Sequence, residues 1–321
     1  MDRQFTLSYD TKTYHDVVRS QKGNNTKAEA RFKRQFSTLD QPDLQVLPFT
    51  VWDITGRAEL WSISHAITEE LEAVIRQLVT HLRFVLTQRG PRNGSKKWRD
   101  MEQYFRHPEF CKEFASGVLD LSAAWQMQGH EHFEADMFPS RDFARKGKPP
   151  NAMQRATQAF VQGLSTTAVV ISAALGIAHP EQYELTRRYL KEVASDPEFT
   201  DTASQWGFAF SVLTIVANRS TPIHRDIRSG GRELYDALLT IGGGPHTVIE
   251  FPSMGLRVQY DTRTLVLFSG NVHPHGASVS REERVCLAFY ARKAMLHKHS
   301  LPLPSCPRLH TLLDGTFARM Q

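Results

Sequence analysis

Apolar positions recur with two different periods along the chain. In the first half, Ile67, Leu71, Val74, Leu78, Leu82 and Val85 follow steps of four and three, the spacing of an amphipathic helix that must end before Gly90-Pro91. After the polar break PSRDFARKGKPPN (139 to 151), helical patterning returns from about 152 to 175 and again over HPEQYELTRRYLKEVAS, 179 to 195. Within the earlier stretch, AFVQGLSTTAVVISAAL is apolar around most of its circumference, which predicts a buried helix. From Phe208 the pattern changes to short runs separated by Gly, Pro and Asp: FAFSVLTIVAN, ELYDALLTIG, HTVIEFP, LRVQYD, TLVLFSG and RVCLAFYAR. Strands of this length at such intervals predict a β-sandwich or barrel in the C-terminal half, built against the preceding helices.

Ahead of these elements, LPFTVWDITGRAELW carries β-branched and aromatic residues on both sides of the turn signal Asp53 to Gly56, which predicts a hairpin that opens the folded domain. Residues 1 to 45 are polar and basic, with a helix expected from 25 to 36, and are expected to form an arm that can lie along a phosphate backbone. The domain organisation expected is this arm, a single domain over 46 to 300 with its β core at about 205 to 295, and a tail from 301 to 321.

Composition narrows the class without choosing within it. At 321 residues, 40% hydrophobic and 23% charged, the chain has ordinary globular usage and can bury a sizeable core. No run approaches a membrane span, and the N-terminus lacks the apolar stretch of a secretory signal, so an intracellular protein with no membrane partner is expected. Cys111, Cys286 and Cys306 are odd in number and far apart, which points to a reducing compartment rather than a disulfide framework. The net charge of +5 is compatible with a polyanionic partner. In the loop RGPRNGSKKWRD, Arg89, Arg92, Lys96, Lys97 and Arg99 gather around Trp98, the mixture of cations and aromatic surface that a nucleic-acid groove uses.

Candidate chemistry lies in His224-Arg225-Asp226, then His275-Gly276, then Arg284. Iron(II) that binds both a bidentate 2-oxo acid and oxygen needs three protein ligands on one face, and two imidazoles with one carboxylate supply them. In an extended HxD the outer side chains share a face, so one strand end gives two ligands. His275, after the strand TLVLFSG, is the third candidate, and Arg284 opens the next strand with a guanidinium suited to the distal carboxylate of 2-oxoglutarate. His273 is the rival ligand; His275 is preferred because Gly276 permits close approach of backbone and co-substrate. Gly-His-Glu-His at 129 to 132 lacks a later carboxylate or cysteine cluster to complete a metal site. HRD is also a protein-kinase motif, but position 231 is Gly where a kinase needs Asn, and no DFG follows.

At these residues the chain resembles the TET/JBP family of nucleic-acid-modifying 2-oxoglutarate dioxygenases, and looks most like its transposon-associated fungal branch, which includes the mushroom TET-like enzymes. The stretches that carry the resemblance are SAAWQMQGHE, ISAALGIAHPEQY, VANRSTPIHRDIRSGG, LLTIGGG, LVLFSGNVHPHGA and ERVCLAFYARK, over roughly 120 to 295. The resemblance implies a double-stranded β-helix core with helices from the N-terminal half, an α+β fold, acting on a methylated base in double-stranded DNA. It implies Fe(II) on His224, Asp226 and His275, and 2-oxoglutarate on Arg284. Cys286 stands where the animal proteins place a Ser that helps the same carboxylate, and Ser229 where they place a base-contacting Asn. Tyr290 and Arg292 occupy the positions of a Tyr and a His that face the flipped base, Tyr290 able to stack and Arg292 to reach a phosphate or a base acceptor.

The activity implied is oxidation of 5-methylcytosine, N6-methyladenine demethylation, or both, on a base flipped out of the duplex, with a nuclear location following from the substrate. No obligate protein partner is evident. The alternatives are a 2-oxoglutarate dioxygenase acting on RNA, protein or a small molecule, and an inactive DNA-binding descendant.

Overall fold

The computed structural model describes residues 3–18, 26–35, 38–39, 44–126, 136–227 and 230–312. The chain opens with strand β1 (Gln4–Thr6), helices α1 (Thr11–Val18) and α2 (Thr26–Gln35), and strand β2 (Leu44–Gln45). The expected hairpin follows as β3 (Phe49–Trp52) and β4 (Ala58–Ile63), antiparallel. Its turn is set by Asp53, whose Oδ1 accepts from the backbone N–H groups of Thr55 and Arg57 and from the Thr55 hydroxyl. Next come α3 (Glu69–His81), α4 (Arg83–Gln88), β5 (Gly117–Leu121), α5 (Ala152–Gly163), α6 (Ser165–Ala178), α7 (Pro180–Ser195) and α8 (Thr200–Ser204). The C-terminal half contains β6 (Val212–Ala217), β7 (Thr221–His224), β8 (Asp236–Gly242), β9 (Val248–Phe251), β10 (Leu256–Gln259), β11 (Leu265–Phe268), β12 (His275–Ala277), β13 (Arg284–Tyr290) and α9 (Lys293–Lys298).

Two sheets form, an eight-stranded one in the order β1-β3-β4-β11-β8-β13-β6-β5 and a five-stranded one in the order β2-β10-β9-β12-β7. Together with the helices they make the expected double-stranded β-helix, and β13 shows how sequence builds it. Val285, Leu287 and Phe289 join the helices in one apolar core, whereas Arg284, Cys286, Ala288 and Tyr290 line a cavity on the other face. A strand covered on both faces therefore reads as a continuous apolar run, although its two faces do different work.

Several expectations shift. The helix expected through 67 to 85 begins at Glu69, capped by the Thr68 side chain on the Leu71 N–H with acidic residues in the first turn, and breaks at Leu82. Its buried face runs through Ile75, Val79, Leu82 and Val85, while Val74 is exposed. The stretch from 152 to 175 is two helices bent by 58° after Gly163, a poor helix former. The second of them is not buried all round: Ala168, Ile171 and Leu175 pack inward, but Val169 and Ile177 face outward. The stretch read as an arm is partly built into the domain. There β1 pairs in parallel with β3, β2 with β10, and Leu7, Tyr9, Tyr14, Val18 and Phe32 enter the second apolar core between the sheets. Arg19, Lys22, the motif at 129 to 132 and Ser229 lie outside the described residues. Among the described residues no single helix is long and apolar enough to cross a membrane.

Candidate metal and oxo-acid site

β7 ends on His224, and its antiparallel neighbour β12 begins on His275 directly opposite. Asp226 follows two residues beyond His224, its backbone N–H held by the Gly270 carbonyl at 2.9 Å. These contacts bring one potential ligand atom from each of His224, Asp226 and His275 within 4.8 Å of the others. The His224 Nε2 lies 3.5 Å from one Asp226 oxygen and the His275 Nε2 3.6 Å from the other. Gly270 is required beside them, because a Cβ there would stand 2.4 Å from the Asp236 carboxylate and 3.4 Å from the His275 ring.

The donor chemistry fits a divalent ion. Each imidazole turns its Nδ1 toward a backbone carbonyl, His224 to Pro222 at 2.9 Å and His275 to His273 at 3.1 Å. With Nδ1 protonated, the Nε2 lone pairs converge on Asp226. Burial, then the neighbouring His224, lowers the His275 pKa to about 3, so its ring is neutral at physiological pH. Burial alone would raise the Asp226 pKa, but its contacts with His224, His275 and Arg99 hold it well below the usual carboxylate range. The neutral His275 imidazole and the ionised Asp226 carboxylate are in the state in which such groups ligate iron(II).

Position 273 goes to a different purpose. His273 is fully buried, with Nδ1 3.0 Å from the Ser253 hydroxyl and Nε2 2.9 Å from Glu59. The preference for His275 stands, though for another reason than the one expected of Gly276. A Cβ at 276 would lie 2.8 Å from the Thr221 carbonyl, so the glycine lets β12 approach β7 rather than a co-substrate.

Arg284 is 2% exposed at the start of β13, donating from Nη2 to the Arg219 carbonyl at 2.9 Å, and has no carboxylate partner among the described residues. Arg219, also buried, leaves its Nε without a partner among the described residues, and burial followed by the charges of Arg99 and Arg284 lowers its pKa to about 10. Two buried guanidiniums with no ion pair to a carboxylate among the described residues form a pocket end that favours an anion. Beside them the Tyr260 hydroxyl lies 3.3 Å from Cys286 Sγ, and burial pushes both the phenol and the thiol up, keeping them protonated. Arg219 and Tyr260 escaped the sequence reading, since neither belongs to a spaced motif.

One cavity of about 1020 Å³ joins this anion-binding end, the triad and a far wall of Trp125, Tyr290 and Arg292. The Arg292 guanidinium stacks 4.4 Å over Trp125 and donates to the Gln126 carbonyl at 2.8 Å. Its Nε and the Trp125 indole N–H are both buried without partners among the described residues. Arg292 therefore faces the cavity rather than an outer phosphate surface. On β6, beside β13, the Thr214 hydroxyl donates to Asp120 of β5. Burial and then Asp120 push the Tyr290 pKa up to about 12. Lys96 and Lys97 are exposed and do not line the cavity, whereas Trp98 turns inward against His224 at 4.8 Å, with Arg99 and Arg219 stacked on it. Arg99 also pairs with Asp226 at 2.8 Å.

A His-Asp-His cluster inside a double-stranded β-helix, with an uncompensated buried arginine nearby, defines an Fe(II)- and 2-oxoglutarate-dependent dioxygenase. Residues 131–293, slightly over half of the chain, match the family described as the oxygenase domain of the 2OGFeDO superfamily, Tet_JBP, and the chain belongs to that family. Among solved structures it is similar in fold to NgTET1 in complex with 5mC DNA, at 11% identity over 96% of this chain and 99% of that one, with a TM-score of 0.52. Fainter likenesses are to a Pseudomonas putida prolyl-4-hydroxylase, at 12% identity over 73% and 92% of the two chains with a TM-score of 0.33, and to a 2OG-Fe(II) oxygenase family oxidoreductase from Burkholderia pseudomallei, at 10% identity over 89% and 93% with a TM-score of 0.32. No curated protein matches the sequence.

Proposed function

We propose that this dioxygenase oxidises the methyl group of a modified base in double-stranded DNA, taking the base into the cavity after it leaves the stack. The observation that carries the reading is the single cavity with an anion-binding end at Arg284, the triad between, and a flat aromatic and cationic wall opposite. Along β13 the cavity-facing positions advance two residues at a time, so Arg284 and Tyr290 are separated by about 20 Å, room for a keto acid and a base in series. Fe(II) and 2-oxoglutarate, when bound, supply the oxidation of a methyl C–H bond by O2 to a hydroxymethyl, with release of succinate and CO2.

The protein's own groups do the positioning. His224, Asp226 and His275 would hold the metal, and Arg284 with Tyr260 the distal carboxylate of the keto acid. Tyr290 would pack on the base face, while the unpartnered N–H groups of Arg292 and Trp125 meet acceptors on its edge. Lys96 and Lys97 would hold the flanking phosphates against the cost of base flipping, a few kcal/mol. The reading extends to both 5-methylcytosine and N6-methyladenine, whose N-hydroxymethyl collapses to formaldehyde and the unmodified base. The stretches HRDIRSGG and RVCLAFYARK support a place in the fungal branch, and a nuclear location would follow from a DNA substrate.

The test is mass spectrometry of bases from duplexes carrying one 5-methylcytosine or one N6-methyladenine, incubated with the Fe(II)-loaded protein and 2-oxoglutarate. Hydroxymethylcytosine, or lost methyladenine with formaldehyde, is expected. Succinate release that is the same without DNA, or faster with methylated RNA, refutes the DNA assignment.

A further inference from the structure

The middle residue of HRD has a side chain with its own destination. Arg225 borders the same cavity as His224 and Asp226, but its guanidinium turns away from the two ligands. It meets α1 there. Its Nη2 donates to the Tyr14 hydroxyl, its Nε donates to the Val272 carbonyl at 2.9 Å, and its guanidinium lies 5.6 Å over the Tyr14 ring. Tyr14, fully buried, stacks in turn on His273 at 6.2 Å with an interplanar angle of 13°. One residue later His15 is 3.0 Å from the Asn271 side chain. From the start of the helix, Thr11 donates to Glu59, the same carboxylate that holds His273.

All of these contacts but the one from Thr11 fall on a segment that carries a candidate ligand, and Glu59 reaches such a segment through His273. Arg225 sits between His224 and Asp226, while Asn271, Val272 and His273 form the loop that delivers His275. Ser253, His273 and Glu59 have the connectivity of a hydrolase triad, yet they are almost entirely buried and border no described cavity. Access for a substrate is lacking, whereas a rigid prop behind the ligand loop needs none.

We propose that α1 is the clamp that positions the metal centre from behind its ligand segments, with Tyr14 and Arg225 as positioning residues. This inference rests on the metal-site reading above. Both ligand-bearing segments converge on one helical turn, so removing the Tyr14 hydroxyl takes away one of the bonds that fix Arg225 and loosens the two ligand segments it joins. Groups that orient ligands from behind typically govern metal affinity by about 10- to 100-fold.

The test is titration of the apo protein with Co(II), read by its visible ligand-field spectrum, beside thermal unfolding of the apo forms. Tyr14→Phe is compared with Tyr189→Phe, which also removes a buried hydroxyl, one that bonds the Ala124 carbonyl at 3.0 Å on the helical side of the sheet. Co(II) affinity roughly tenfold weaker in Tyr14→Phe with an altered spectrum, and unchanged in Tyr189→Phe, is expected. Arg225→Lys, which keeps the charge but loses the fork, should weaken binding in the same direction. If Tyr14→Phe binds Co(II) as wild type does, or the two Phe variants weaken alike, the clamp is overturned. Asp226→Ala separates the two readings: wild-type uptake that this variant abolishes upholds the metal site whatever Tyr14 does. Wild type that takes up no Co(II) overturns both.

Discussion

Replacing Arg284 with Ala tests the co-substrate end of the cavity most directly. The side chain is 2% exposed and spends one Nη hydrogen on the Arg219 carbonyl, which leaves the remaining fork facing the cavity with no carboxylate partner among the described residues. Two parallel charge-assisted bonds to a carboxylate contribute about 1.5–3 kcal/mol each, or about 3–6 kcal/mol together. Arg219 stays in place and keeps part of the favourable field, so the lower half of that range applies. A loss of about 3–4 kcal/mol corresponds to 2-oxoglutarate binding weakened by roughly 200- to 1000-fold. Calorimetric titration of 2-oxoglutarate into the Mn(II)-loaded protein measures it, with Mn(II) affinity taken separately to show that the triad is undisturbed. Arg284→Lys should fall between, because an ammonium keeps the charge and loses the planar fork. An Arg284→Ala protein that binds 2-oxoglutarate within about threefold of wild type, a difference under about 1 kcal/mol, would refute the assignment.

Three further outcomes are expected. Tyr260→Phe should weaken 2-oxoglutarate by about fivefold, the worth of one hydrogen bond of about 1 kcal/mol, and an unchanged affinity in the same calorimetric experiment removes the phenol from the site. Lys96→Ala with Lys97→Ala should make the slope of log affinity for duplex DNA against log salt shallower by up to about 2; an unaltered slope detaches the loop from the interface. The His179 ring caps α7 by accepting from the Gln182 N–H and holds the Glu233 carbonyl at 2.8 Å, and burial lowers its pKa to about 4. Because the unfolded ring titrates near 6.5, the stability contributed by the neutral ring is complete above that pH and declines as pH falls toward 4, by at most about 3 kcal/mol. His179→Gln should flatten the fall in melting temperature between those pH values, and an equally steep fall in the variant would show that another group is responsible.

The site was legible where chemistry and period coincide. An HxD segment at a strand end, a histidine after the next long apolar run and an arginine opening the last strand can be read without coordinates, and those residues do meet. Trp125, Arg219 and Tyr260 were not legible, because each reaches the cavity through strand pairing or a loop and not through spacing to its partners. The first 45 residues misled for a related reason. Leu7, Tyr9, Tyr14 and Val18 are few and scattered among polar residues, so composition speaks of a solvated arm, whereas non-local pairing of β1 with β3 carries them into the core. In α3 a stripe drawn through Val74 rather than Ile75 shows how a period can be recognised while its phase is settled only by the surface it packs on.

The division of labour along β13 also constrains how such a protein can change. Cavity-facing residues can be exchanged one at a time, with Ala288 and Tyr290 open to variation while Leu287 and Phe289 go on sealing the helical layer. A one-residue insertion ahead of Cys286 would be a different event, because it would trade the two faces throughout the rest of the strand. The aliphatic residues would be thrust into the cavity and Tyr290 withdrawn among the helices. Lineages built on this strand are free to retune what they bind by substitution, and are barred from doing so by slippage.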